Sequence, residues 1–220
     1  MLELYYGAGT CSFVIHAGLE IIRSLTGTQY TSHRVKVHQG EQRTPQYLAV
    51  NPQGQVPVLV ADGQPLTQVV AICDYLDRRF PEAQMLPTDP WERAQAMSQL
   101  AFMNNTAHPT FAHVFMSHHF GEGEAVQAEL KRFNRLRFRE HLERIQQWVP
   151  AGDPDGWFGG HPVFHDVYAL TLLRWGGLAG IDPDSLPRLW AHSRRVAASA
   201  PVAATLVDER LELNVYRQPG

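Results

Sequence analysis

The stretch NPQGQVPVLVADGQPLTQVVAICDYL, residues 51–76, decides the fold. Pro57 stands directly before the apolar run VLV. Proline cannot donate to a sheet ladder, so it belongs at a strand's first residue, an edge or a bulge. A cis Val56–Pro57 bond meets that demand, since cis bonds are chiefly a proline feature. In that geometry the N–H and C=O of Val56 are free to pair with an extended peptide ligand, as a strand edge would. PVLVA and PLT read as two strands joined by Asp62-Gly63, a strong hairpin signal. Residues 69–82 then carry a helix that stops before Pro81.

Working outward, MLELYY (1–6) has the length and aromatic content of a strand. CSFVIHAGLEIIRSL (11–25) has the apolar density of a helix packed on a sheet. YTSHRVKV (30–37) reads as a second strand, and the turn-rich segment after it has room for one helical turn around Pro45–Leu48. The order β-α-β-α-β-β-α predicts a small mixed sheet with helices on its faces. Residues 83–90 hold two prolines and no period, and read as a linker. From Trp91 on the pattern is helical, with a break or kink at Pro109. One long helix is expected to align Leu130, Phe133, Leu136, Ile145 and Val149 on one face. FHDVYALTLLRW, residues 186–199 and a short helix opened by Pro201 complete the series. The division expected is an α+β domain over 1–82, a linker over 83–90 and an all-helical domain over 91–220.

Of the 220 residues 44% are hydrophobic and 19% charged, a composition that supports a packed core and argues against disorder. The formal net charge of -3 gives no electrostatic pull towards nucleic acid or an anionic membrane. Met1 leads into LELYY without a basic or long apolar region, so no signal peptide is expected, and no run of about 18 apolar residues suggests a membrane span. The two cysteines, Cys11 and Cys73, lie far apart, too few for a disulfide framework; a cytoplasmic chain with reduced thiols is expected.

Cys11 sits in YYGAGTCSF, at the expected start of the first helix. By itself it reads as a buried small apolar residue before it reads as a reactive centre. A helix N-terminus offers unpaired N–H groups and a positive dipole end, which lower a thiol pKa to about 3.5–7.5. The N–H groups of Val69 and Val70, opening another helix, can hold a carboxylate.

Taken together, an early cysteine, an X-Pro turn before the third strand and a hairpin leading into a helix form a thioredoxin-like layout. The whole chain resembles a bacterial glutathione S-transferase, most similar to the beta class. The resemblance rests on LYYGAGTCS (4–12), YLAVNPQGQVPVL (47–59), LTQVVAICDYL (66–76), DPWERAQ (89–95) and the apolar helix starting near Asp166. It implies a thioredoxin-like N-terminal domain that binds glutathione as co-substrate, and a helical C-terminal domain that holds a hydrophobic electrophile. By the resemblance Cys11 faces the glutathione sulfur and can form a mixed disulfide with it. The Val56 backbone brackets the cysteinyl part, with Pro57 as the cis-proline. Gln68 receives the γ-glutamyl ammonium and amide groups, and Val69 offers its N–H to the γ-glutamyl carboxylate. His108 lines the cleft, and Asp166 is the acid of a helix-capping motif. Ser12 is the second candidate at the thiol, and Phe13, Phe102, Asn105, His108 and Phe111 are expected to line the electrophile pocket. The resemblance also implies a homodimer.

Three positions depart from the family pattern. Val69 replaces a Ser or Gly, Pro109 a Lys, and Val163 the capping Ser or Thr, whose loss costs about 1 kcal/mol. Ser12 also fits a plain first-turn residue, and Gln68 a helix N-terminal one. Tyr5, Tyr6 and Cys73 read as packing, Asp77 and Arg93 as salt-bridge formers at domain or subunit contacts. His108, His113, His118 and His119 match no zinc spacing, and no metal is expected. KRFNRLRFRE (131–140) reads as a solvated helix face, with no nucleic-acid role. The expected function is glutathione transfer to small hydrophobic electrophiles, as in detoxification, with deglutathionylation through Cys11 beside it. The alternative is a non-catalytic binding or regulatory module of the same fold.

Overall fold

A computed structural model describes residues 1–149 and 161–218. Strands β1 (Leu2–Tyr6), β2 (Thr31–Arg34), β3 (Val58–Ala61) and β4 (Gln64–Thr67) form one sheet in the order β2-β1-β3-β4. β1 buries alternate residues, Leu2, Leu4 and Tyr6, as period-two side chains require. It pairs parallel with β2 and antiparallel with β3, and β3 pairs antiparallel with β4. Asp62 (φ 50°) and Gly63 (φ 83°) both take positive φ, the hairpin geometry that Asp-Gly supports. Pro65 lies in β4, at the sheet edge, where a missing N–H is tolerated.

Helix α1 (Ser12–Thr26) crosses between β1 and β2; α2 (Pro45–Val50) is a single short helix with Thr44 as its cap; α3 (Val69–Arg79) follows the hairpin. The first half therefore has the expected β-α-β-α-β-β-α order. β2 is shorter than the 30–37 expected, because the chain turns into two 3₁₀ turns over Val37–Gln39 and Glu41–Arg43.

The rest is helical: α4 (Pro90–Phe102), α5 (His108–Phe115), α6 (Glu124–Trp148), α7 (Phe164–Leu178), α8 (Pro187–Ala198) and α9 (Ala200–Glu209). Asp89 caps α4 by accepting from the Trp91 and Glu92 N–H groups, with Pro90 in the first turn. The break expected at Pro109 appears upstream of it, as a wide π-type turn over Met103–Ala107. Proline has no N–H for Asn105 and its ring crowds that carbonyl, so the turn before it opens.

α6 corrects the sequence reading. Phe133 and Leu136 are exposed, and the buried residues are Phe138, Leu142 and Ile145. Only the second half of α6 has buried residues; its first half meets α5, a short 3₁₀ turn over Ser117–His119 and Gly121, which leave Phe133 and Leu136 in solvent. The basic run lies on this solvated face, tied by Arg132–Glu129 (2.6 Å), Arg137–Glu140 (2.7 Å) and Arg139–Glu143 (3.0 Å).

α7 is buried along nearly all its length and joins the two halves. At Gly18 of α1 any Cβ would overlap the Phe164 ring, so glycine is what lets α1 and α7 meet. Val163 has no side-chain acceptor for the α7 N-terminus. Asp166 still accepts from the Val163 N–H (2.8 Å), and its other oxygen pairs with buried His192 of α8 (2.8 Å). Asp77 and Arg93 join α3 to α4 at 2.6 Å, and Asp77 also accepts from the Leu86 N–H at 2.9 Å. Cys73 is fully buried in the core, and burial pushes its thiol well above the ordinary value.

Candidate active site

The sheet register brings Cys11, Val56, Pro57, Gln68 and Val69 to one end of the sheet. Val58 pairs with Tyr5 on one side and with Thr67 on the other. One step further along, Val56–Pro57, the β1–α1 loop and Gln68–Val69 all leave the same end of the sheet. The Val56–Pro57 bond is cis. The Cys11 thiol points at the Val56 carbonyl, with Sγ to O at 3.7 Å.

Gln68 precedes α3 with φ 73° and ψ 118°, a backbone conformation that L-residues rarely hold. Its side chain is exposed and makes no cap to the helix. Among the described residues the first-turn N–H groups of α3 have no intrahelical or side-chain partner, the condition for receiving an anion. Strain of this kind persists where the surroundings enforce it, and it concentrates at functional sites. Beyond Gln68, Val70, Asn104 and Asn105 line a groove of about 760 Å³ between α3 and the α4–α5 segment.

The loop carrying Cys11 is braced from three directions. Gly7 N–H donates to Ser12 Oγ (3.0 Å), and Thr10 Oγ1 donates to the Gly7 carbonyl (2.8 Å). Gly9, at φ 72°, donates its N–H to Glu209 Oε2 of α9 (2.8 Å). Its carbonyl accepts from Trp175 Nε1 of α7 (3.0 Å). Glu209 is itself buried and bonds His16 of α1 through Oε1 at 2.8 Å. Sequence reasoning missed Glu209 and Trp175; no spacing in the last helix marks a buried glutamate.

Several expectations change here. Ser12 is fully buried with its hydroxyl committed to the Gly7 backbone and Thr10, so it shapes the loop and is not positioned to act on a thiol. Phe13 is 2% exposed and belongs to the core, not to a pocket wall. Phe102 faces α6, edge-on to His141 and Trp148 and under the Arg144 guanidinium. Phe111 is stacked between Phe115 and Trp175 and is a packing residue. Asn105 is exposed in the groove, as a lining residue should be. His108 is half-buried, its ring 4.8 Å from Trp175, and burial pushes its pKa down to about 4.

Tyr5 stacks on His33, and Tyr6 donates its hydroxyl to Asp208. Both serve packing. The Cys11 thiol also departs from expectation. Burial pushes it up to about 12, against the smaller lowering by the Cys11 and Ser12 N–H groups at the helix start. It rests as a neutral thiol. Among the described residues no His, Cys, Asp and Glu side chains gather for a metal ion, and no helix is long and apolar enough to cross a membrane.

The family model of the glutathione S-transferase N-terminal domain matches residues 2–78. A glutathione S-transferase from Xanthomonas campestris pv. campestris is 31% identical over 213 residues, 96% of this chain and 100% of that protein. The chain belongs to the glutathione S-transferase family. It is an enzyme of the glutathione transferase type, with a thioredoxin-like sheet domain and a helical C-terminal region. A maleylacetoacetate isomerase from Pseudomonas aeruginosa is 32% identical over 202 residues, 89% of each chain. A glutathione transferase homologue from Sulfitobacter, solved with bound glutathione, superimposes with a TM-score of 0.84 at 26% identity, covering 96% of this chain and 99% of that one. A beta-class enzyme from Sphingomonas chungbukensis reaches 0.80 at 28% identity, over 96% and 100%. The beta-class resemblance read from the sequence is in line with that neighbour.

Proposed function

We propose that this family member binds glutathione across Val56 and the N-terminus of α3 and transfers it to small apolar electrophiles. The observation that carries the reading is the Cys11 sulfur held 3.7 Å from the Val56 carbonyl, at the sheet end where Gln68 and Val69 open α3. The Val56 carbonyl and N–H suit the cysteinyl amide groups. The Val69 N–H suits the γ-glutamyl carboxylate, and Gln68 the ammonium beside it. Val69 lacks a hydroxyl, so this anchor rests on backbone groups alone.

The reacting thiol in this reading is that of glutathione. Cys11, held neutral, donates its S–H to the developing glutathione thiolate, and the N–H groups opening α1 add to that stabilisation. The glutathione thiol gives its proton to solvent water and the thiolate then attacks the electrophilic carbon: a C–S bond forms as the bond to the leaving group breaks, and the leaving group departs with its electron pair. Asn105 and His108 border the second substrate. The homodimer and the cytoplasmic setting belong to the same reading. Because one relative is a maleylacetoacetate isomerase, activated olefins belong beside aryl halides among the electrophiles to test.

Deglutathionylation through Cys11 is the second reading, favoured by the partial exposure of that residue. It demands a Cys11 thiolate, which burial opposes.

The test is retention on immobilised glutathione together with turnover of an activated aryl chloride. Glutathione at about 100 times its Kd should stabilise the fold by about 2.7 kcal/mol. No thermal shift with millimolar glutathione and no turnover would overturn the assignment. Cys11→Ala should keep glutathione binding and lose most of the conjugation rate. If it also abolishes reduction of a glutathione mixed disulfide that the native chain reduces, the second reading holds as well.

A further inference from the structure

A second cleft opens between α6, the turn after α7 and the chain that follows α9. It measures about 860 Å³, within the range of small-molecule sites, and shares no lining residue with the groove beside Gln68. Its lining is of two kinds. Lys131, Arg132, Arg135 and Arg139 come from α6. Leu178, Ile181 and Tyr216 supply apolar and aromatic walls. Among the described residues Asp182 is the one acid in the lining, and its carboxylate accepts from the Asp184 N–H at 3.0 Å.

Neutral groups across the cleft hold two of these cations in place. Arg135 donates from Nη2 to the Gly180 carbonyl, and Arg139 from Nη1 to Ser185 Oγ at 3.0 Å. Gly180 has φ 77°, and a Cβ there would lie 3.2 Å from the Arg135 guanidinium, so glycine admits that approach. Arg132 and Arg139 also pair with Glu129 and Glu143 along α6, yet each keeps a donor to spare. Nη1 of Arg132 and Nη2 of Arg139 have no partner among the described residues. Lys131 and Arg135 pair with no carboxylate among the described residues. Gly177 sets the aromatic wall. A Cβ there would come within 2.8 Å of the Tyr216 nitrogen, so its absence lets the chain lie on α7 and brings Tyr216 into the lining.

A guanidinium fork matches the oxygens of a phosphate two at a time. From Lys131 to Arg139 the cations span about 12 Å of helix. An occupant charged at one point would leave most of their donors unused, whereas a chain of phosphates meets several. The ring of Tyr216 and the apolar walls then suit a flat aromatic body joined to that chain. We propose that this cleft is a second ligand site, which takes a nucleoside diphosphate or triphosphate with its phosphates on Lys131, Arg132 and Arg135 and its base against Tyr216. The inference does not rest on the glutathione reading above.

Titration calorimetry of the full chain with ADP, at low salt and with and without millimolar glutathione, tests this. ADP should bind equally well in both conditions, and pyrophosphate and adenosine at least about tenfold more weakly, since each supplies half of the contacts. Lys131→Gln and Arg135→Gln should each weaken ADP binding about tenfold, and Tyr216→Leu about fivefold. Lys131 is exposed and makes no described ion pair, so its variant keeps the fold; circular dichroism checks the other two. The proposal is overturned if ADP does not bind, if glutathione displaces it, or if neither Lys131→Gln nor Arg135→Gln changes its affinity. Pyrophosphate binding as tightly as ADP would reduce the cleft to a plain anion patch. A naphthalene dicarboxylate binding as tightly would remove the preference for phosphate. Either result also overturns the assignment.

Discussion

Cys11 is caught between two opposing effects, and its reactivity decides which is larger. Burial raises a thiol pKa, and a helix N-terminus lowers it. In this structure burial prevails, and the thiol is pushed up to about 12. At pH 7 that leaves about 10⁻⁵ of it as thiolate, against about 3% for an ordinary thiol of pKa about 8.5. The deficit is roughly 3,000-fold. A more basic thiolate is also a better nucleophile: a Brønsted slope of about 0.4–0.5 over ~3.5 pK units recovers about 25–60-fold. The net expectation is exchange roughly a hundredfold slower than free cysteine at pH 7. The assay is the release of a coloured thiol from an aromatic disulfide reagent, followed against pH. Cys73 is buried and stays silent in the folded chain, and Cys11→Ala supplies the blank. The rate should climb about tenfold per pH unit from about pH 8 to pH 10, with no plateau. Poor access to the sulfur would lower every rate but could not remove a plateau. A plateau starting near pH 7, or a rate above that of free cysteine, would refute the argument and restore the helix N-terminus as the dominant effect.

Two further outcomes test the brace and the strain around this thiol. Glu209→Ala leaves Gly9 N–H and His16 without their buried acceptor. Breaking a buried pair of this kind costs about 3–5 kcal/mol, which for a chain this size lowers Tm by about 6–20 °C; calorimetry showing a loss under about 1 kcal/mol would remove Glu209 from the brace. Gln68→Gly should relieve the backbone at φ 73° and stabilise the fold by up to about 1 kcal/mol, while weakening glutathione binding about fivefold through the lost side-chain contact. Denaturant melts and titration calorimetry measure the two separately, and unchanged stability would mean that position is not strained.

How much of this was legible beforehand follows from the range of each interaction. Asp62-Gly63, Pro57 and the alternation in LELYY are local constraints on φ, N–H supply and side-chain period, and each appears where the sequence puts it. Pro109 marked a break, although the local spacing did not say that the turn before it would widen. α6 misled for the opposite reason. Leu130, Phe133 and Leu136 are spaced like a buried face, but burial depends on how much of a helix the opposing elements cover, and α5 and the turn after it leave Phe133 and Leu136 uncovered. Among the expected pocket residues, Phe13 and Phe111 are as well suited to the core as to a ligand wall. Both are consumed by packing, because the core competes for the same aromatic side chains.

By itself the sequence determined the order of strands and helices, the cis turn, the family and the position of the thiol at a helix start, because those rest on neighbours a few residues apart. Only the tertiary structure decided what that thiol is. Val56 lies 45 residues from Cys11, Trp175 lies 166 from Gly9 and Glu209 lies 200 from it. Burial of the Cys11 thiol, which depends on what the folded chain packs around it, outweighs the lowering that the helix start alone would give, and no local spacing carries that information.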